Sequence, residues 1–157
     1  MSDSRYEDFS NEIWSKNNAT VTSDGIGVLV VPTTGTRALN TDGPSQIFWP
    51  QIGMNTVSAD FKSAGLRYAA IGLSNGAGYT ATATFDLETG TLASIGAHVS
   101  AASNLSGSIT PLENWWFRCV FSFNHAIVLR HIHLTGSTQP GGGTYNQNIS
   151  GDGISGI

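Results

Sequence analysis

Apolar and polar residues alternate with a period of two along much of this chain. That is the signature of strands with one face turned to a core; a helix would repeat every ~3.6 residues. The clearest case is residues 115–123. Trp115, Phe117, Cys119, Phe121 and Phe123 fall on one side, and Trp116, Arg118, Val120 and Ser122 on the other. The first set is predicted to be core, and the second to cover a partly buried sheet face. The same pattern predicts strands at 19–22, 27–31, 46–49, 55–62, 67–74, 79–86, 92–98 and 127–135. Between them lie turn sequences: Ser23-Asp24-Gly25, Thr41-Asp42-Gly43-Pro44, Ser74-Asn75-Gly76 and Glu88-Thr89-Gly90. Helix signals are thin; residues 8–14 offer one short turn with Ser10 as a cap. Short strands with a turn every ~8–12 residues predict an all-β sandwich or jelly roll. No internal repeat is visible. The last segment, 136–157, is Gly-rich and weakly patterned. It is expected as an extended C-terminal tail or closing strand, set against a sandwich over 1–135.

Composition narrows the class of role. At 157 residues the length fits one domain with a core of its own. Charged residues make up 11%, while hydrophobic residues reach 39% and aromatics 10%. Disordered chains are poor in the last two, so a folded, turn-rich protein is expected. The net charge is −4 and the 7 Lys and Arg are scattered. Phosphate backbones and anionic membranes select clustered cations, so no nucleic-acid or membrane partner is expected. Cys119 is the only cysteine, which rules out an intramolecular disulfide. No signal peptide and no membrane span are read from the sequence.

Several stretches, in order, match the motifs of one known family. Tyr6-Glu-Asp-Phe-Ser-Asn-Glu-Ile-Trp14-Ser-Lys16 is similar to that family's opening, Tyr-Ser-Glu-Asp-Phe-Ser-Asn followed shortly by Trp-x-Lys. Asn55-Thr-Val-Ser-Ala-Asp-Phe-Lys-Ser-Ala-Gly65 resembles its Tyr-Thr-(Val/Phe)-Ser-x-(Tyr/Trp)-x-Lys-Ala-Gly strand. Thr84-Phe-Asp-Leu-Glu-Thr-Gly-Thr91 resembles a Phe-Asp-Leu-x-x-Gly-Thr hairpin, and Trp116-Phe-Arg-Cys119 a Gly-Trp-Tyr-Arg-Cys strand. Gly151-Asp-Gly-Ile-Ser-Gly-Ile157 resembles the start of the closing strand. Together these stretches resemble a family of bacteriophage virion modules found in tails, fibres and decorations, and the resemblance implies a jelly-roll β-sandwich of carbohydrate-binding-module type. It also implies a non-enzymatic structural role on the virion surface, as capsid decoration or cement or as a tail-associated module. Implied partners are other virion proteins and copies of the chain itself, as a trimer. The alternative is a tail-fibre receptor-binding or free carbohydrate-binding module that recognises host surface glycans.

Two departures from the pattern carry expectations. Trp115 stands where the family has Gly, so its ring either fills a local gap or sits exposed for binding. The family continues past Ser-Gly-Ile into another strand, whereas the sequence here ends at Ile157. Either that strand is dispensed with or a neighbouring chain supplies it, since an open sheet edge recruits strands.

Ligand or interface candidates are aromatic residues expected in loops or at strand ends: Trp49, Tyr79, Trp115 and Tyr145. Flat rings stack on the apolar faces of sugars and on protein partners alike. Trp14 and Trp116 are expected in the core. His131-x-His133 puts two imidazoles on one side of a strand, a metal-ligand geometry without an identifiable third ligand. Asp24, Asp42, Asp86 and Asp152 adjoin Gly turns, where a structural calcium would need such oxygens; ordinary turns are the simpler reading. No metal or cofactor is expected. Glu7, Glu12, Glu88 and Glu113 do not form the facing buried pair of a glycosidase. Cys119, on the apolar face, is expected to be an inert thiol.

Overall fold

The computed structural model describes residues 15–17, 19–23, 28–32, 35–38, 43–47, 53–74, 79–97, 102–125, 131–140 and 148–151. Within them the chain is nearly all strand. The early strands are short: β1 Ser15–Asn17, β2 Ala19–Ser23, β3 Val28–Pro32, β4 Gly35–Ala38 and β5 Gly43–Ile47. Longer ones follow: β6 Gly53–Lys62, β7 Tyr68–Ser74, β8 Tyr79–Asp86, β9 Thr91–Ala97, β10 Ala102–Pro111, β11 Trp116–His125 and β12 His131–Ser137. A last strand, β13, spans Asn148–Gly151.

Two antiparallel sheets dominate. One has six strands in the order β1-β5-β12-β7-β8-β9, the other three in the order β10-β11-β6. Two smaller ladders pair β2 with β3 and β13 with β4. The two main sheets share one core, which gives the molecule a sandwich-like all-β character. The three-stranded sheet contributes Phe61, Cys119, Phe121 and Phe123. The six-stranded sheet contributes Ala69, Ile71, Leu73, Ala83, Phe85 and Leu134. Phe121 and Phe123 pack ring against ring, with centroids 5.4 Å apart. The other side of β7, β8 and β12 carries Ser74, Thr82, Thr84, His133, Thr135 and Ser137, and these are buried as well.

The strands predicted at 19–22, 27–31, 55–62, 67–74, 79–86 and 92–98 are found with small shifts at their ends. The one expected at 46–49 begins earlier, at Gly43, where Gly43 and Pro44 pair with Asn17 and Lys16 of β1; Thr41 and Asp42 of the expected turn lie outside the described residues. The one expected at 115–123 begins at Trp116 and runs to His125. Strand β12 continues past Thr135 through Ser137, and β13 pairs with the chain's own β4. Strands β1, β4, β10 and β13 were not foreseen in the alternation. The expected helical turn at 8–14 lies outside the described residues.

Candidate functional site

Strand β10 turns into β11 through Leu112, Glu113, Asn114 and Trp115. The Leu112 N–H donates to the Trp116 carbonyl at 2.7 Å, which closes the loop. Closing it this tightly forces left-handed backbone. Asn114 has φ 58 and Trp115 has φ 65. Asn tolerates this region because its short side chain suits it, but a bulky residue there is an outlier. The Trp115 side chain takes no share of the core: the residue is 82% exposed. The left-handed position is also the one where the resembling pattern places Gly.

Beyond the turn lies the outer face of the three-stranded sheet. Alternation along β11 turns Phe117, Cys119, Phe121 and Phe123 inward and leaves Trp116, Arg118, Val120, Ser122 and Asn124 outward. Trp116, expected in the core, is therefore half-buried on the outer face. The reason is parity: Phe117 holds the inward position, so its neighbour must point away. Cross-strand register builds rows on this face. Arg118 lies between Asp60 of β6 and Thr110 of β10. Ser122 lies between Thr56 and Ser106, and Val120 between Ser58 and Ser108. The Thr56 and Ser122 hydroxyls are 2.8 Å apart and hydrogen bonded.

The Arg118–Asp60 row is a planar fork. Arg118 Nε donates to Asp60 Oδ1 at 2.8 Å and Nη2 to Oδ2 at 2.8 Å. Asp60 raises the Arg118 pKa above its ordinary value, first through these hydrogen bonds and then through its charge. Both side chains are largely open to solvent, at 55% and 37%. The two stretches that resemble the family's strands, around Asp60 and Arg118, are thus direct neighbours in one sheet.

The remaining sequence candidates fall elsewhere. Tyr79 begins β8, opposite Ser74 of β7. Trp49 and Tyr145 lie outside the described residues, as does Trp14. His133 is buried, with Nε2 3.3 Å from the Ser74 hydroxyl. His131 pairs by its backbone with Ser74 and Ile47. Among the described residues no three His, Cys, Asp or Glu side chains come together as a metal site. Likewise, no helix among them is long and apolar enough to cross a membrane.

Asp86 has a full set of structural partners. Arg67 Nε and Nη2 donate to its oxygens at 3.1 and 2.7 Å, and the Glu88 N–H donates to Oδ1 at 2.9 Å. The Thr89 N–H reaches the same oxygen at 3.3 Å. Hydrogen bonding from Arg67 is the main reason its pKa falls below the ordinary carboxylate value; partial desolvation opposes the shift, and the turn amides reinforce it. Glu88 pairs with Arg67 Nη1 at 2.9 Å from the solvent side. Cys119 is fully buried, and burial, with a smaller contribution from the charge of Asp60, pushes its pKa up to about 12.

Alternation places Trp115 with the inward set, which its exposure corrects because the residue belongs to the turn before β11, and Arg118 on the outer face, where it lies; the fork needed the pairing of β6 with β11 to appear. No protein-family model matches the chain, and no curated protein is significantly similar to it.

Proposed function

We propose that the chain is a non-enzymatic structural protein of a bacteriophage particle, displayed on its surface as capsid decoration or cement or as a tail-associated module. The proposed fold is a jelly-roll β-sandwich of carbohydrate-binding-module type that assembles with other virion proteins and with copies of itself as a trimer. One observation carries the idea of a contact protein: an indole held 82% exposed on left-handed backbone. Strain that the fold does not need marks a residue kept for what it touches. The ordered set of motifs supports the virion setting. The three carboxylates with described arginine partners, Asp60, Asp86 and Glu88, are held in ion pairs at a strand pair and a turn, and the thiol is protonated and enclosed. Those roles support binding rather than catalysis.

The test is direct. Particles are purified from lysates of the strain that encodes the chain, then probed with antibody against it and by mass spectrometry. The chain is expected in the particle at a fixed ratio to the capsid or tail proteins. Its absence from the particle would sink the reading. Sedimentation of the isolated chain checks the trimer.

The alternative is a tail-fibre receptor-binding or free carbohydrate-binding module that recognises host surface glycans. The hydroxyl-lined outer face, with Trp115 at its end, is the observation that favours it.

A further inference from the structure

The two main sheets end on β1, β9, β10 and β6, and all but the last of these edges are blunted. β1 is only three residues long. β9 meets β8 with a register shift between Thr84 and Phe85. β10 has a register shift between Ser103 and Ser106 and ends on Pro111. Shortness, bulges and proline are what keep an edge from pairing with another chain. β6 has none of them. It runs for ten residues without proline and pairs with β11 along its whole length without a shift. Among the described residues no strand pairs with its other edge. Its inward positions, Gly53, Asn55, Val57, Ala59 and Phe61, carry no charge. Of its two charged residues, Asp60 is held by Arg118 and Lys62 stands at the last position. Val57 and Ala59 pack against the core yet are only half-buried.

An edge of this kind accepts an extended strand through its main chain, and β6 is complementary to itself. Antiparallel pairing about a two-fold axis at Ser58 sets Ser58 against the partner's Ser58. On the outer face Thr56 then meets the partner's Asp60, and Met54 meets the partner's Lys62. On the inner face Val57 meets the partner's Ala59, so the half-buried apolar residues cover one another. No like charges stand opposite in this register. Met54, 61% exposed in the single chain, comes under the aliphatic stem of the partner's Lys62. We propose that the free edge of β6 is a two-fold interface with a second copy of this chain, joining two three-stranded sheets into one of six strands. The contact goes beyond the trimer proposed above, because a two-fold closes pairs and not threes. It links one trimer to the next, or one free chain to another.

The test uses the full chain in sedimentation over a range of concentrations. Association in even numbers is expected, as dimers of free chains or hexamers of trimers. Met54→Lys sets a lysine against the partner's Lys62 on both sides of the axis and should weaken pairing by roughly fivefold, whereas Met54→Glu should tighten it by a similar factor. Because Met54 is exposed, both variants should keep the wild-type melting temperature in dilute solution. Ser58→Cys places a thiol on the axis, where opposite Cα atoms are as close as a disulfide requires, so mild oxidation should cross-link pairs. Ser108→Cys, exposed on the same face but on β10, should cross-link far more slowly, and the buried Cys119 takes no part. Association limited to one or three copies overturns the inference. So do Met54 variants that pair as the wild type does, or a Ser58→Cys that cross-links no faster than Ser108→Cys. Trimers found on particles without pairing between them defeat this inference and leave the particle role standing. Pairing through Ser58 in a chain absent from particles does the reverse.

Discussion

Trp115 has a side chain in a conformation that suits glycine, and this makes an unusual forecast. Left-handed backbone costs a residue with a β-carbon about 1–2 kcal/mol, and glycine returns part of that gain as entropy of the unfolded chain. The ring is 82% exposed, so its removal forfeits little burial. Trp115→Gly should therefore stabilise the protein by about 0.5–1 kcal/mol in urea denaturation. A loss of stability would mean the ring supports the fold. Asp86 sits at the opposite extreme, since every described contact of its carboxylate is structural. Its folded pKa is depressed, so its contribution is fully present above the unfolded value of about 3.9 and is lost as pH falls through the folded value. Wild type should lose stability below about pH 4, and Asp86→Asn should lack that part of the decline. At neutral pH the substitution should cost about 1–2 kcal/mol, near the low end for a charged hydrogen-bonded group because solvent reaches Arg67. Cys119, with its pKa at about 12, should resist thiol reagents in the native state and react at the rate of unfolding. These residue roles were unevenly legible. The sequence pattern pointed to an inert Cys119 and to an odd residue at 115. It offered Asp86 as a turn residue but could not show its arginine, which lies on another element.

At the scale of elements, alternation was readable where inward positions held large apolar residues. β11 has Phe117, Cys119, Phe121 and Phe123 inward, and β8 has Ala81, Ala83 and Phe85. β10 is as long as β11 yet was missed. Its inward positions are Leu105, Gly107 and Ile109, so a glycine breaks the apolar rhythm in a Ser-rich stretch. Packing explains that glycine: a β-carbon at 107 would lie 2.8 Å from Leu92 Cδ1 on the facing sheet. Gly107→Val should cost about 1–3 kcal/mol through overpacking. Leu92→Ala in the same chain should recover part of that loss, and a double-mutant cycle in urea measures the coupling. Purely additive losses would remove Leu92 as the cause. The Asp60–Arg118 fork was hidden for a different reason. Its partners are far apart in sequence and meet through cross-strand register, which local patterning does not encode.

For the whole molecule, the decisive question is whether the sheets fold as one unit. Phe121 lies fully buried in the single cluster that also holds Ile71, Leu73 and Phe85 from the other sheet. Removing its ring should cost about 3–5 kcal/mol, a large share of the ~5–15 kcal/mol of an ordinary domain. Because the cluster is shared, that loss belongs to both sheets. In hydrogen exchange on Phe121→Ala, amides of β7, β8 and β12 should lose protection together with those of β6 and β11. The β4–β13 ladder is a different case. It joins four residue pairs, Ala38–Asn148 to Gly35–Gly151, and a two-stranded ladder is marginal without further packing. Its amides should exchange by local opening, faster than the central strands and with little response to Phe121→Ala. Loss of protection confined to β6, β10 and β11 would instead mean two independently stable sheets. A response of β4–β13 equal to that of β7 would show the small ladder to be part of the same cooperative unit. A shared core gives the Asp60–Arg118 pair its footing. The fork stays in register while β6 and β11 are clamped from beneath by Phe61, Cys119, Phe121 and Phe123, so the Arg118–Asp60 contact should be lost with the shared core and not before it.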